Sequence, residues 1–403
     1  MDLSFKDENN GRIFTATRHG NVLGYVAIDS TVCGRSCGGL RMLPDIHQEE
    51  IQALAHSMTL KYGFLGLPQG GAKAGVIGNP EAPRQERLEQ LVQFGQAIAP
   101  LLRSRTFVPT ADMGSQNDEI RHMLSAIGIR VCRRDLQNNS SGYYTALSVR
   151  AGVVQSARHI GLNLSKGTAA IEGFGNVGRP LARLLGSEGI QVVAISTSRG
   201  AIYNPEGLDV DRLIRLAEEA GSQVVELYQD AELLEREKLL ELPVDILCPC
   251  ARWNSLNIDN ALGISAKVIC PGANNPMTPE AEHALFQRGV LCLPDFVANC
   301  GGVLGGTMEF ASVSKERISN FIHHHIGARI AWLLKEAKSK NQVPRDVAVP
   351  FALARFSHVV QSAERPTPIS HLFNLGLAGY RRGWIPGRLV AALSLRYFEK
   401  ILT

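Results

Sequence analysis

Thr168-Ala169-Ala170-Ile171-Glu172-Gly173-Phe174-Gly175-Asn176-Val177-Gly178 decides how this chain folds. A short apolar run enters a glycine cluster, and Leu181, Leu184 and Leu185 continue at helical spacing. Gln191–Ser196 then reads as a second strand. A GxGxxG set between a strand and a helix, inside a unit of about thirty residues, points to a dinucleotide. Gly173 permits the tight turn, Gly175 lets a pyrophosphate approach the backbone, and Gly178 lets helix and strand pack closely. The helix N-terminus, with Phe174, Asn176 and Val177 in the loop before it, supplies N–H groups and a positive dipole end. A parallel α/β sheet of Rossmann type is therefore expected from about 141 to 334.

The usual acid for the adenosine ribose of NAD is missing at the end of the second strand, which reads Ile195-Ser196-Thr197-Ser198-Arg199. Without that carboxylate a 2′-phosphate meets no repulsion, and Arg199 is placed to pair with one. NAD or NADP is expected, with NADP favoured and Thr197 and Arg199 as contacts. Further strands are expected over 245–248, 267–270 and 290–293. Each is followed by polar or glycine-rich residues: Ala251-Arg252-Trp253-Asn254, Gly272-Ala273-Asn274-Asn275, and Asp295 to Gly302. Ligands of open parallel sheets sit at such strand ends, which makes Ala251, Asn254, Asn274 and Asn299 candidate contacts. A turn role serves each asparagine equally well.

Working back toward the N-terminus, residues 12–43 alternate in short β-rich runs, and helical patterns follow at 46–62 and about 85–103. Asp45 and Gln48 resemble a capping box at the start of the first of these helices. Between the two helices lies Leu67-Pro68-Gln69-Gly70-Gly71-Ala72-Lys73-Ala74-Gly75-Val76, read as a glycine-rich loop carrying a lysine. A lysine partly desolvated there loses its preference for the charged form and becomes a candidate base. Lys61 falls on the apolar face of the preceding helix, where an ammonium needs an anion from protein or substrate. Val108-Pro109-Thr110-Ala111-Asp112 ends an apolar segment in a carboxylate. Together Lys61, Lys73 and Asp112 suggest a small anion undergoing proton transfer.

The 403 residues predict two domains, and 45% hydrophobic with 20% charged residues is ordinary for a soluble protein. A formal charge of +4 gives no case for nucleic acid. No apolar run reaches the roughly 18 residues of a membrane span, and Met1 to Asp7 lacks a signal peptide's apolar core, so a cytoplasmic protein is expected. The eight cysteines show no zinc spacing, and no metal site is read. Asn138-Asn139-Ser140-Ser141-Gly142 marks a first boundary, giving a domain over 1–140, and a helix is expected from Ala146. Residues 316–340 read as one long helix running back to that domain, with His323, His324 and His325 facing different directions. The tail after Pro366 reads as turns around Gly376, Gly379, Gly383, Pro386 and Gly387 with a short basic amphipathic helix, Arg388–Leu402, placed to cover a subunit interface. Helices from about 335 to 403 are expected to pack back on the first domain.

With these residues in place, the chain resembles the glutamate/leucine/phenylalanine/valine dehydrogenase superfamily from about residue 22 to 355. The motifs that carry the resemblance stand in order: Gly38-Gly39-Leu40-Arg41-Met42, Met58-Thr59-Leu60-Lys61, Gly70-Gly71-Ala72-Lys73, Asp112-Met113-Gly114, the glycine fingerprint, Tyr203-Asn204-Pro205-Glu206-Gly207, Pro249-Cys250-Ala251 and Ala298-Asn299-Cys300-Gly301-Gly302-Val303. The resemblance implies reversible, NAD(P)-dependent oxidative deamination of an L-amino acid to a 2-oxo acid and ammonia, in a cleft between the domains of a homo-oligomer. It implies that Lys61 binds the α-carboxylate, Lys73 is the base that activates water, and Asp112 exchanges a proton with the amino nitrogen. Gly38, Gly39 and Asn299 would line the substrate, and Thr145 the nicotinamide amide. Glutamate-specific members carry a lysine where this chain has Cys37 and a serine where it has Gly306. Both partners of a side-chain carboxylate are absent, so an apolar or aromatic substrate is expected, with Gly305 and Gly306 leaving room for it. A dinucleotide-binding relative without catalysis, or the same chemistry on a specialised metabolite, are the competing readings.

Overall fold

The structure is a computed structural model describing residues 2–8, 11–132, 140–365 and 368–402. Its two sheets are each packed by helices, as the α/β reading expects. The first contains β1 (Asp2–Glu8), β2 (Gly11–Arg18), β3 (Asn21–Ile28), β4 (Ser36–Leu43), β5 (Gly70–Ile77) and β6 (Phe107–Ala111), in the order β1-β2-β3-β5-β4-β6. β1, β2 and β3 form antiparallel hairpins, whereas β4 runs parallel to both β5 and β6.

The glycine-rich lysine segment is a central strand rather than the expected loop. Side chains alternate along a strand, so Gly71, Lys73 and Gly75 share one face. The helix Gln48–Leu65 lies on that face. A Cβ at Gly71 would stand 2.3 Å from the Thr59 nitrogen, and one at Gly75 would stand 2.6 Å from Ile51 Cδ1. Glycine ordinarily weakens a strand; here it admits the helix and brings it down over Lys73. That helix starts differently from expectation too. His47 is its N-cap, accepting from the Glu50 N–H at 3.3 Å, while Asp45 pairs instead with Arg252. The 85–103 pattern is two helices, Arg84–Ala97 and Ala99–Arg103, divided at Ile98.

The second sheet holds β7 (Thr168–Glu172), β8 (Gln191–Thr197), β9 (Gly200–Tyr203), β10 (Glu232–Leu234), β11 (Ile246–Pro249), β12 (Val268–Ile269) and β13 (Leu291–Cys292). Its order is β10-β9-β8-β7-β11-β12-β13, parallel from β8 to β13, with β9 antiparallel to both of its neighbours, β8 and β10. The chain leaves β7 toward β8 on one side and reaches β11 on the other. The ligand crevice of such a sheet opens at that reversal, beyond the carboxyl ends of β7 and β11. One apolar cluster runs from Phe64 and Leu65 of the first helix to Phe296 and Ile330 beside the second sheet, so the two halves share a core.

One expectation falls partly outside the described residues, and three further ones change. Asn138 and Asn139 lie outside the described residues, and Ser141 and Gly142 already belong to the helix Ser141–Ile160. The 316–340 segment is broken by a π-turn, Ile322–Ile326, at the histidine run. There the His325 ring stacks on Phe321 at 4.2 Å, and His323 hydrogen-bonds Arg150 at 2.9 Å. The return to the first sheet is made by the next helix, Pro344–Glu364, which lies along Gln48–Leu65. In the tail, Gly376 and Gly379 fall inside the helix Pro368–Arg381 rather than in turns. The final helix, Gly387–Leu402, is held at its end by Arg329 and Arg355, which donate to the Leu402 and Ile401 carbonyls. Among the described residues no helix is long and apolar enough to cross a membrane.

Candidate active site

Four charged side chains meet beneath the first helix. Lys73 projects from β5 and is 2% exposed. Its Nζ lies 2.5 Å from Asp112 Oδ2, just past the end of β6. The loop carrying Asp112 is pinned to β4, because Ser115 Oγ donates to the Leu40 carbonyl at 2.6 Å and accepts the Asp112 N–H at 3.2 Å. Gly114 adopts φ +78°, and a Cβ there would stand 2.0 Å from the Met42 carbonyl, so the turn demands glycine. Gly39 is required for the same kind of reason: its Cβ would stand 2.7 Å from Asp112 Cβ and 3.0 Å from Lys73 Nζ. Gly38 keeps β4 against β5, where a Cβ would strike the Ala72 carbonyl.

Arg41, which the sequence reading passed over, completes the cluster. Its Nε donates to Asp112 Oδ2 at 3.1 Å and its Nη1 to Glu50 Oε1 at 2.5 Å. Burial works to raise the Asp112 carboxyl, but Lys73 and Arg41 outweigh it and hold the group ionised far below the usual carboxylate range. Burial lowers Lys73 from the ordinary lysine value; Asp112 opposes that shift and Arg41 adds to it.

Lys61 sits on the same helix, buried, and its hydrogen bond among the described residues goes to Asn274 Oδ1 at 3.0 Å. Among the described residues no carboxylate pairs with it. Burial pushes its ammonium down to about 8, against the pull of Asp295. Asn274 Oδ1 also accepts from Asn299 Nδ2 at 3.0 Å, and Asn299 Nδ2 donates to the Ala273 carbonyl at 2.8 Å. Asn299 Oδ1 is buried with no hydrogen-bond partner among the described residues. An acceptor left this way costs about 1–3 kcal/mol, and in a cleft it is an empty place for a donor. The first helix therefore reaches the second sheet's strand-end loops directly. Ser57 extends the join, donating to Asn275 Oδ1 at 2.5 Å and to Asp295 Oδ2 at 3.2 Å. At the rim Arg252 pairs with Asp45 at 2.5 Å, and Trp253 meets His47 edge to face at 5.0 Å.

The glycine fingerprint has the form that a dinucleotide needs. Gly173 adopts φ +93°, and a Cβ on Gly178 would stand 2.0 Å from the Gly173 carbonyl. A Cβ on Gly175 meets nothing within 4 Å, and Gly175 and Asn176 are exposed, which leaves an open face above the helix Gly178–Ser187. Phe174 and Val177 turn their side chains into packing, and the Phe174 N–H is taken by the Ser196 carbonyl at 2.8 Å. Ala251 packs under Gly173, where a Cβ would lie 2.9 Å from the Ala251 Cβ. Asn254 adopts φ +51° and donates its N–H to the Asn275 carbonyl at 2.9 Å, so it shapes the loop. Thr197 Oγ1 donates to the Ser222 carbonyl at 2.7 Å and accepts the Arg199 N–H at 3.1 Å, while the Arg199 side chain stands exposed in the β8–β9 turn.

Thr145 faces Gly302, whose Cβ would lie 2.5 Å from Thr145 Oγ1. The two pocket glycines part company. A Cβ on Gly305 would stand 2.3 Å from Tyr144 Cγ, so the Tyr144 ring already fills the volume that this glycine was expected to free. Gly306 has nothing within 4 Å of its Cβ direction. Cys37 is half-buried in β4 with its carbonyl accepting from Tyr62 Oη at 3.4 Å. Among the described residues no three metal-ligating side chains converge.

The profile described as "Glutamate/Leucine/Phenylalanine/Valine dehydrogenase" matches residues 139–363, and that described as "Glu/Leu/Phe/Val dehydrogenase, dimerisation domain" matches residues 12–128. The chain is 36% identical to the glutamate dehydrogenase of Thermotoga maritima over 75% of its own length and 74% of the relative's. It is 34% identical to the NAD-specific glutamate dehydrogenase of Staphylococcus aureus, over 71% and 72% of the two chains. In three dimensions it is similar to L-tryptophan dehydrogenase from Nostoc punctiforme, with a TM-score of 0.58, 25% identity, and 90% and 96% of the chains covered.

Proposed function

The chain belongs to the glutamate/leucine/phenylalanine/valine dehydrogenase family, an amino acid dehydrogenase using NAD or NADP, and from that premise we propose that its substrate is an L-amino acid with an apolar or aromatic side chain. The reaction is reversible oxidative deamination to a 2-oxo acid and ammonia. The observation that carries the assignment of roles is the pairing of a buried Lys73 with Asp112 at 2.5 Å, beside a second buried lysine that has no carboxylate partner among the described residues.

In this reading Lys61 supplies its ammonium to the substrate α-carboxylate, the ion-pair partner it lacks among the described residues, with Asn274 steadying it. Lys73, made less basic by burial, takes a proton from the water that attacks the substrate imine carbon. Asp112, ionised in the resting site, accepts a hydrogen bond from the amino nitrogen and takes up a proton only transiently as it passes one between that nitrogen and Lys73. Asn299 Oδ1 takes the donor it is missing from the substrate or a ribose hydroxyl, and Thr145 lies near the nicotinamide amide. When bound, the nicotinamide supplies the hydride acceptor at the substrate Cα. Gly39, with Gly38 behind it, leaves room over Lys73. Residues 1–140, with the helices from about 335 to 403, form the substrate-binding and oligomerisation domain, and 141–334 the dinucleotide domain. The match of 12–128 to a dimerisation domain supports a homo-oligomer.

The substrate class rests on Cys37 and Gly306, which offer a side-chain carboxylate neither a cation nor a hydroxyl. The Nostoc relative is named for an aromatic substrate, although the Thermotoga and Staphylococcus relatives are named for glutamate. Initial rates with single amino acids and either dinucleotide, read at the reduced-nicotinamide band, test the reading. Glutamate as best substrate would overturn it, and no turnover with any amino acid would favour a non-catalytic relative.

Two measurable consequences follow from the same side chains. The charged form of Lys61 prevails below about 8 and is lost as pH rises through that value, while the substrate carboxylate stays ionised throughout. KM for the amino acid should therefore climb about tenfold per unit above that pH, and Lys61→Met should raise KM at neutral pH and flatten the rise. A KM constant to pH 9.5 in the parent enzyme removes Lys61 from the carboxylate site. For the cofactor, the β8 end holds no acid and Arg199 extends beside it, which favours NADP. Arg199→Ala should weaken NADP binding about tenfold and leave NAD unchanged; equal effects on both, by fluorescence titration, would remove the preference.

A further inference from the structure

Arg41 has no part in the reaction as proposed, yet it is the most enclosed arginine of the centre, 4% exposed, and Glu50 behind it is 3% exposed. Its two nitrogens face opposite ways. Nε approaches the same Asp112 oxygen that Lys73 holds, at 3.1 Å against 2.5 Å for Lys73. Nη1 is anchored on Glu50 Oε1 at 2.5 Å. Only a fork of donors spans two carboxylates in this way; a lysine has one nitrogen to offer.

We propose that Arg41 is a positioning residue that competes with Lys73 for one oxygen of Asp112 and so governs how firmly Lys73 keeps its proton, with Glu50 setting the strength of the competition. The inference rests on Lys73 being the base. If Arg41 were absent, the whole field of Asp112 would fall on Lys73 and favour its ammonium. With Arg41 present, the oxygen is shared and a second cation stands close by, so the neutral amine is favoured. Glu50 acts in the opposite sense, pulling the guanidinium charge away from the pair and adding a negative charge of its own. The charged groups that face Lys73 are Asp112 from the β6 end, Arg41 from β4, and Glu50 and Lys61 from the helix Gln48–Leu65. Burial lowers Lys73, Asp112 and Glu50 raise it, and Arg41 lowers it, in agreement with this account.

Arg41→Met, Arg41→Lys and Glu50→Gln, made in the full chain, test it with two readouts. The first is the pH midpoint for acetylation of Lys73 by acetic anhydride, followed on its peptide by mass spectrometry. The second is the acid limb of the kcat/KM profile for the best amino acid. Arg41→Met should raise both by on the order of one pH unit, Glu50→Gln should lower both, and Arg41→Lys, which keeps the charge but not the fork, should fall between Arg41→Met and the parent. A lesion that merely loosens the fold does not move two variants in opposite directions. Midpoints that stay fixed, or that move the same way in Arg41→Met and Glu50→Gln, overturn the proposal. If Arg41→Met does not fold, Glu50→Gln decides alone by the sign of its shift. Opposite shifts in acetylation, in an enzyme that oxidises no amino acid, would count against the proposed reaction and leave Arg41's control of Lys73 standing.

Discussion

Lys73→Ala leaves a protein that still binds dinucleotide and no longer turns over its amino acid. The expected loss in kcat is on the order of 10³-fold, the contribution of a well-placed general base. The reason for so large an effect is that no neighbour can stand in. Asp112 is held ionised so firmly that it is a poor proton acceptor from water. Arg41 carries its proton permanently, and Lys61 is tied to Asn274. The fold should survive, because Asp112 keeps Arg41 as its counter-ion at 3.1 Å, while the fingerprint of Gly173, Gly175 and Gly178 lies on the other sheet and is untouched. Stopped turnover with an unchanged dinucleotide titration is therefore the expected pair of results. Substantial activity in this variant would mean that the water is activated elsewhere, and the roles given to Lys73 and Asp112 would fall together.

Much of this arrangement is legible in the sequence where local chemistry dictates it. The β7 strand and the turn after it are readable because two of the fingerprint glycines answer to local geometry: Gly178 to the Gly173 carbonyl, Gly173 to its own positive φ. Lys61 is readable because its place on an apolar helical face is a matter of spacing. The lysine strand is not. Glycine beside glycine ordinarily marks a turn, and only the helix lying against Gly71 and Gly75 explains why such a sequence is β5. Gly305 misleads in the same way, since the side chain that claims its space, Tyr144, is far off in sequence. Arg41 and Glu50 belong to a strand and a helix whose facing is a tertiary fact. The one available signal was an arginine set in alternation with Gly39 along an apolar run.

The larger claim is the rejection of glutamate, and it has a direct test in the two positions that carry it. In the double variant Cys37→Lys with Gly306→Ser, kcat/KM for glutamate should rise on the order of 100-fold over the parent, and that for apolar amino acids should fall. A side-chain carboxylate buried without a partner costs several kcal/mol, and each 1.4 kcal/mol is about tenfold, so even a partial recovery is easily read. Gly306→Ser is sterically free, because nothing lies within 4 Å of its Cβ direction, and removing a helical glycine should if anything stabilise the helix Gly301–Phe310. Cys37→Lys carries more strain: the site is half-buried and the backbone there already binds Tyr62 Oη. An ammonium placed there without a bound anion is itself a buried, unpaired charge, which is why apolar substrates should lose as glutamate gains. Crossing curves for the two substrate classes are the signature expected of a side-chain pocket. A double variant that lowers both classes equally would show instead that these residues do not face the substrate side chain, and the apolar assignment would lose its physical basis.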